Sequence, residues 1–218
     1  MKYKEVHYLL LLVIYLSSFC AGCKHKPAIK PMFVVKDDQS TGLHFTNQLN
    51  PNKRLNALKY MYYFNGAGIG AGDFNNDGKI DLFFASNQGE NKLYLNEGNL
   101  HFKDVSKEAM LPQDGGWSTG VSVVDINNDG LLDIYICRMG DYDSIHSKNQ
   151  LLVCQGIDKN GVPYYKDEAH QYGLDFSGFS TQAVFFDYDG DGDLDMFLLN
   201  HSVFENETIG NRDMLLKR

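Results

Sequence analysis

Short apolar runs that alternate with acidic, glycine-containing turns are the main pattern of this 218-residue chain. The runs are rich in Val, Ile, Phe and Tyr and too short for ordinary helices, which is typical of buried β-strands. The pattern therefore predicts strand–loop–strand units. Two runs lead into turns and three lead out of them: Val121–Val124, Ala183–Phe186, Ile80–Ala85, Leu132–Cys137 and Leu194–Leu199.

The turns repeat one nine-residue motif, D-x-[DN]-x-D-G-x-x-D, at residues 73–81, 125–133 and 187–195. Side-chain oxygens at motif positions 1, 3, 5 and 9 and the backbone carbonyl at position 7 can face one centre. Glycine at position 6 permits the sharp reversal of the chain that this requires. Oxygen ligands alone suit Ca²⁺, whereas Mg²⁺ demands stricter octahedral geometry and keeps its waters. The motif predicts up to three calcium sites.

Two other interpretations of these loops compete with calcium binding. An EF-hand needs Glu at position 12 and helical flanks, but that position holds Phe84, Ile136 or Leu198 and the flanks resemble strands. Ordinary Asp/Asn/Gly turns without metal remain the alternative. The eleven Asp residues of the three loops favour metal binding, because without a cation they would repel one another at short range.

The sequence around the loops repeats as well. The loops begin 52 and 62 residues apart, and Trp117 and Phe179 each open a similar tetrapeptide eight residues before a loop. Related segments follow the first two loops, N-K-L-Y-L-N-E-G from Asn91 and N-Q-L-L-V-C-Q-G from Asn149. Each full unit therefore holds about four short strands in a meander with the loop between the first two, which is the composition of a propeller blade.

This combination of motifs resembles FG-GAP/VCBS repeats, the calcium-carrying blades of integrin α-chain-like β-propellers. It includes Gly70 and Gly72 before the first loop, the loop itself, the segment from Asn91 and F-K-D-V from Phe102. Residues 32–205 as a whole resemble Bacteroidetes lipoproteins of the cartilage acidic protein-like family. The resemblance implies an all-β fold, an incomplete β-propeller of about three blades. It also implies these calcium ligands, of which those at position 7 give only backbone oxygen: Asp73, Asn75, Asp77, Lys79 and Asp81; Asp125, Asn127, Asp129, Leu131 and Asp133; Asp187, Asp189, Asp191, Asp193 and Asp195.

Residues 1–23 resemble an export signal. Lys2 and Lys4 precede the nine-residue apolar run Tyr8–Leu16, which is too short to span a bilayer as a helix. The sequence C-A-G-C at 20–23 resembles a bacterial lipoprotein box, which predicts lipid attachment at Cys23. The alternative is an ordinary cleaved signal with two incidental cysteines.

The rest of the chain divides into a tether and a repeat region. Residues 24–50 are predicted as a basic, proline-containing tether with a first strand pair at Met32–Val35 and Leu43–Phe45. Because a closed propeller typically needs at least four blades, the chain is interpreted as the N-terminal fragment of a longer protein. The repeat region, 51–218, is predicted to comprise units at about 62–112, 113–174 and 175–218, the last incomplete.

The aromatic, cysteine and histidine residues support less specific predictions. The aromatic segment Leu55–Phe64 is predicted to pack in the core or between blades, with a ligand platform as the alternative. Cys137 and Cys154 are predicted as separate buried thiols with Cys137 opposite Gln150, although an exported chain permits a disulfide. His201 follows the last predicted strand and has no assigned chemistry.

The net charge and the motifs of the chain limit the classes of function that it can have. A net charge of −8 argues against nucleic-acid binding, which needs a basic face. No nucleophile elbow, HExxH motif, phosphate loop or paired CxxC motif occurs, so the chain is interpreted as non-enzymatic.

The favoured function is a calcium-binding, lipid-anchored adhesion module of the bacterial cell envelope, at the outer membrane or cell surface, with a protein or glycan ligand. Alternatives are the N-terminal part of a propeller-based hydrolase or lyase acting on glycans or lipids, and an assembly protein that completes its propeller by association. The remaining blades of a longer chain are a further candidate partner.

Overall fold

The computed structural model describes residues 31–140, 142 and 145–201. The predicted signal, Cys23 and the residues after His201 lie outside this part of the chain. Of the described residues, 31–35 belong to one unit and those from 36 onward to another. No helix among the described residues has the length and apolar character needed to cross a membrane.

The predicted first strand pair is wrong. The segment Met32–Val35 forms no strand and exposes its side chains, and Leu43–Phe45 is irregular. A short helix, α1 (Asp38–Thr41), lies between them. The Asp37 carboxylate caps it by accepting from the Ser40 amide at 2.7 Å, and Gly42 ends it with a φ of 73°. These local capping interactions prevail over the weak strand pattern.

The rest of the described chain is built from antiparallel strands, and the predicted meanders are confirmed. The strand order is β1-β2-β3-β4 in the first sheet, β5-β6-β7-β8 in the second and β9-β10 in the third. The fold is therefore all-β, with three propeller-type blades that do not form a closed ring. The strands are β1 (Ile69–Gly72), β2 (Asp81–Phe84), β3 (Lys92–Gly98), β4 (His101–Asp104), β5 (Trp117–Val124), β6 (Asp133–Met139), β7 (Gln150–Ile157), β8 (Pro163–Asp167), β9 (Ser180–Phe186) and β10 (Asp195–Asn200).

The sheets pack face to face through apolar side chains that alternate along each strand. Phe83 and Leu93 of the first sheet belong to one core with Ile134 and Ile136 of the second. Residues on the opposite face of the second sheet, such as Tyr135, form another core with the third sheet. Each face thus buries one set of alternate residues, as the two-residue period of a strand requires.

One face of the third sheet has no such neighbour among the described residues. Phe83 and Tyr135, each two residues after the last Asp of its loop, are fully buried against the following sheet. Phe197 occupies the same position in the third sheet and is 52% exposed. Val184 and Leu199 are equally exposed, so the surface that would receive a further blade is an open apolar face.

The second and third sheets approach closely at Gly120. A Cβ there would lie 2.2 Å from the carbonyl oxygen of Thr181 in β9. We expect Gly120→Ala to lower the free energy of unfolding by about 1–3 kcal/mol, because the backbones of two sheets would have to separate. Urea unfolding measures this loss. Gly89→Ala is the control, since its Cβ would meet only the movable Ser86 hydroxyl; equal losses in both variants would refute the explanation.

The two described cysteines are free and buried, as predicted. Cys137 belongs to the core between the second and third sheets, whereas Cys154 belongs to the core between the first and second. The predicted register is wrong by one residue, because Ile136 rather than Cys137 pairs with Gln150. Burial raises the pKa of Cys137 to about 12 and also raises that of Cys154, so both thiols stay protonated.

Candidate metal centres in the three acidic loops

Each acidic loop joins the first two strands of its sheet and follows one backbone path. Gly78, at position 6 of the first loop, has a φ of 83°, and the matching glycines of the other two loops have φ values of 84° and 92°. Position 4 is also left-handed, with a φ of 55° at Asn76 and Asn128 and of 76° at Gly190. Asn and Gly are the residues that tolerate this conformation best, so the sequence itself dictates the turn.

The first Asp of each loop organises the turn through both carboxylate oxygens. In the first loop, Asp73 accepts from the amides of positions 5 and 6 at 2.9 and 2.8 Å. The same two bonds measure 3.0 and 2.9 Å at Asp125, and both measure 3.1 Å at Asp187. Three loops of different composition therefore share one hydrogen-bonded scaffold.

Positions 3 and 5 lie next to each other within the turn. The Asn75 amide nitrogen donates to the Asp77 carboxylate at 3.3 Å, and the equivalent bond from Asn127 to Asp129 is 2.9 Å. Lys79, predicted to offer only its backbone oxygen, also places its ammonium 2.7 Å from Asp77. The ammonium lowers the pKa of Asp77. A bound cation would compete with this exposed ion pair.

The ninth residue ties the loop to the rest of the blade. Asp81 and Asp133 are fully buried, and each accepts from the amide of position 2 at 3.0 and 2.9 Å respectively. Their second oxygens accept from the third strand of the sheet, from Asn96 at 2.7 Å and Cys154 at 2.8 Å. Burial raises the pKa of both carboxyls to about 6, and a nearby cation would favour their charged forms.

The second loop keeps the hydrogen bond between its ninth residue and the third strand, although the strand residue is Cys154 instead of an asparagine. The Asn96 side chain donates to the Ile80 carbonyl at 3.0 Å. The thiol at the equivalent Cys154 instead approaches the Gly156 carbonyl at 3.5 Å. Replacement of Asn by Cys therefore removes one side-chain bond, while the backbone bond to Asp133 remains.

Part of the chain matches a known family. Residues 73–136 match the FG-GAP-like repeat family. The stretch covers the first two loops and the strands between them. Over 137 residues, or 61% of the chain, the sequence is 30% identical to human cartilage acidic protein 1. The mouse and Xenopus tropicalis proteins of that name are 29% and 26% identical over 138 and 140 residues. The chain spans about a fifth of the length of these curated relatives (20–21%).

The third loop, which lies outside the matched stretch, brings its carboxylates closest together. Oxygens of Asp187, Asp189 and Asp195 all lie within 4.8 Å of one another. The carboxylate of Asp191 accepts from the amide of Asp193 at 3.0 Å. An all-oxygen donor set of this spacing fits a hard divalent cation, and Asp187, Asp189 and Asp195 would hold it.

Two structural features of the described blades are predicted by no motif in the sequence. The Arg138 side chain is only 3% exposed and binds Asp114 through two bonds of 2.6 and 2.7 Å. These residues are 24 positions apart and belong to no motif. A second group, Tyr60, Tyr62 and His201, surrounds a cavity beside Trp117. The segment Leu55–Phe64 was predicted to pack in the core or between blades, and nothing in the sequence linked His201 to it.

Proposed function

We propose that this chain is a non-enzymatic binding module whose FG-GAP-like blades hold structural Ca²⁺ in the three acidic loops. The observation that supports this most is the convergence of three carboxylates within 4.8 Å in the third loop, on a scaffold repeated in the other two. The proposed ligands are all fifteen predicted residues, from Asp73 to Asp195. Calcium would offset the repulsion of the loop carboxylates and fix the hairpins.

The proposal also covers the location of the module and its partners. Lipid attachment at Cys23 would place the blades at the surface of the bacterial envelope, where a protein or glycan ligand is accessible. The open apolar face around Phe197 favours a role within a larger assembly, such as the remaining blades of a longer chain. No nucleic-acid partner is proposed, because the net charge is −8.

Calcium titration of the metal-stripped 218-residue chain tests the proposal. We expect up to three bound ions by calorimetry, one for each loop. At a concentration about ten times the Kd, each occupied site should add about 1.4 kcal/mol of stability and raise the melting temperature. Mg²⁺ should give a smaller shift, because its geometry is stricter.

A loop variant makes the titration site-specific. The double substitution Asp187→Asn and Asp189→Asn should remove one bound ion. Because Asp187 also accepts from two loop amides, circular dichroism checks that the sheets stay folded. Glu97→Gln is the control, since it removes an exposed negative charge outside the loops. A folded chain that binds no Ca²⁺, or a double variant that binds as many ions as the control, would show that the loops are only turns.

A further inference from the structure

A cavity of about 300 Å³ opens on the side of the blades opposite the acidic loops. The loops follow the ends of β1, β5 and β9, whereas the cavity is lined where those strands begin, by residues such as Gly68, Thr119 and Thr181. All three sheets therefore contribute to it. Its volume lies at the small end of ligand pockets, a size suited to one ring of a small ligand.

Among the described residues, the cavity lining contains no Asp, Glu, Lys or Arg, although the chain has 48 such residues. Recognition of a phosphate or carboxylate normally uses Arg or Lys, so the lining disfavours anionic ligands. A cationic ligand would lack a carboxylate to pair with. The chemistry of the cavity therefore selects for an uncharged ligand. The lining residues are Tyr60, Tyr62, Asn65, Gly66, Ala67, Gly68, Trp117, Thr119, Gly120, Thr181, Gln182 and His201.

Aromatic rings form one wall of the cavity. Tyr60 and Trp117 are buried and meet edge to face, with ring centroids 5.8 Å apart. The Tyr60 hydroxyl lies 3.0 Å from His201 Nε2, and the His201 ring packs against Tyr62 with centroids 4.1 Å apart. Tyr62 is only partly buried. The surrounding contacts hold its ring in place at the cavity.

Neutral hydrogen-bonding groups complete the lining. The exposed amide of Asn65 offers donors and an acceptor. Gln182 and Thr119 offer acceptor oxygens, because their own N–H and O–H groups already donate within the protein. Gln182 is fixed by a bond of 3.1 Å to the Val121 carbonyl, and Thr119 by one of 2.7 Å to the Ser180 carbonyl. Orienting polar groups beside an aromatic wall match a ring with one apolar face and a rim of hydroxyls.

We propose that this cavity binds a neutral saccharide. One sugar ring, alone or at the end of a glycan, would place its C–H face on the aromatic wall, where Tyr62 is the most accessible ring. Its hydroxyls would bond to the amides of Asn65 and Gln182. The inference rests on the proposed function, since it names the ligand class of the binding module.

The single tryptophan of the chain provides the test. Because Trp117 lines the cavity, its fluorescence reports occupancy. The full chain is titrated with the methyl glycosides of glucose, galactose, mannose and N-acetylglucosamine, in calcium and in chelator. We expect at least one glycoside to bind, and Tyr62→Ala to weaken its binding about tenfold, the loss expected for one aromatic contact.

Two further variants locate the site. Asn65→Ala should also weaken binding without affecting the core, because Asn65 is exposed. Tyr172→Ala, which removes an exposed ring remote from the cavity lining, should leave binding unchanged. Failure of every glycoside to bind, binding that Tyr62→Ala does not weaken, or stronger Tyr62-dependent binding of tetramethylammonium or glucuronate would overturn the inference. Calcium binding without glycoside binding would overturn this inference and leave the calcium proposal standing.

Discussion

Replacing Asp133 with alanine should lower the free energy of unfolding of the calcium-free protein by about 2–4 kcal/mol. The carboxylate is fully buried and accepts from the amides of Ile126 and Cys154. Alanine would leave both donors without their acceptor at the junction of loop and sheet. Part of this loss is offset because burial penalises the charged carboxylate and raises its pKa to about 6. Urea unfolding in excess chelator measures the change.

The third loop supplies the matched control for Asp133. Asp195 holds the same motif position but is partly exposed, and among the described residues it accepts only from the Tyr188 amide. Asp195→Ala should therefore cost less than about 1 kcal/mol without calcium. Asp133→Asn should be intermediate, because an amide keeps one acceptor oxygen. Equal losses in the two alanine variants would contradict the structural role assigned to Asp133.

Trp117→Ala should destabilise the protein by about 3–5 kcal/mol, the cost of truncating a large buried aromatic side chain. Trp117 is 2% exposed and its ring packs between Tyr60 and Tyr63, with centroids 5.8 and 5.4 Å away. The substitution would leave a cavity where the aromatic segment before β1 meets the second sheet. Thermal and urea unfolding, followed by circular dichroism, measure the loss.

An exposed tyrosine gives the reference for that substitution. Tyr172 is 41% exposed, and we expect Tyr172→Ala to change stability by less than about 0.5 kcal/mol. If Trp117→Ala proved no more destabilising than this reference, the cluster would be a loosely packed surface feature. The saccharide site would then lose its rigid wall.

The strands and loops were predictable because their signals are local. Gly78 and its equivalents impose the turn, and apolar runs on both sides can only be strands that bury a face. The capped helix α1 was equally local, since Asp37 and Gly42 are ordinary N-cap and C-terminal signals. The prediction of a strand pair was wrong there because the apolar residues 32–35 and 43–45 favour strands, whereas a helix of only four residues has no apolar period of its own.

Other features depend on which strands pack against each other, and no local pattern in a single sequence indicates that packing. Cys137 and Cys154 were predicted as separate thiols, but their placement in two different cores follows from their positions on opposite faces of the second sheet. Likewise, the motif treats Asp81, Asp133 and Asp195 alike, but only the first two reach a third strand in the described chain. Residues at the same motif position therefore differ in burial and in hydrogen-bond partner.

The two bonds from a ninth carboxylate to a third strand have a further consequence. Asn96 and Cys154 lie on β3 and β7, away from the turn, yet each amide donates to one carboxylate oxygen of a proposed metal ligand, Asp81 or Asp133. An ion drawing on those carboxylates would alter the exchange rate of both amide hydrogens. If the loops bind Ca²⁺ as proposed, hydrogen exchange at these two amides would report occupancy of the first two loops. Among the described residues, Asp195 of the third loop has no such bond to a third strand.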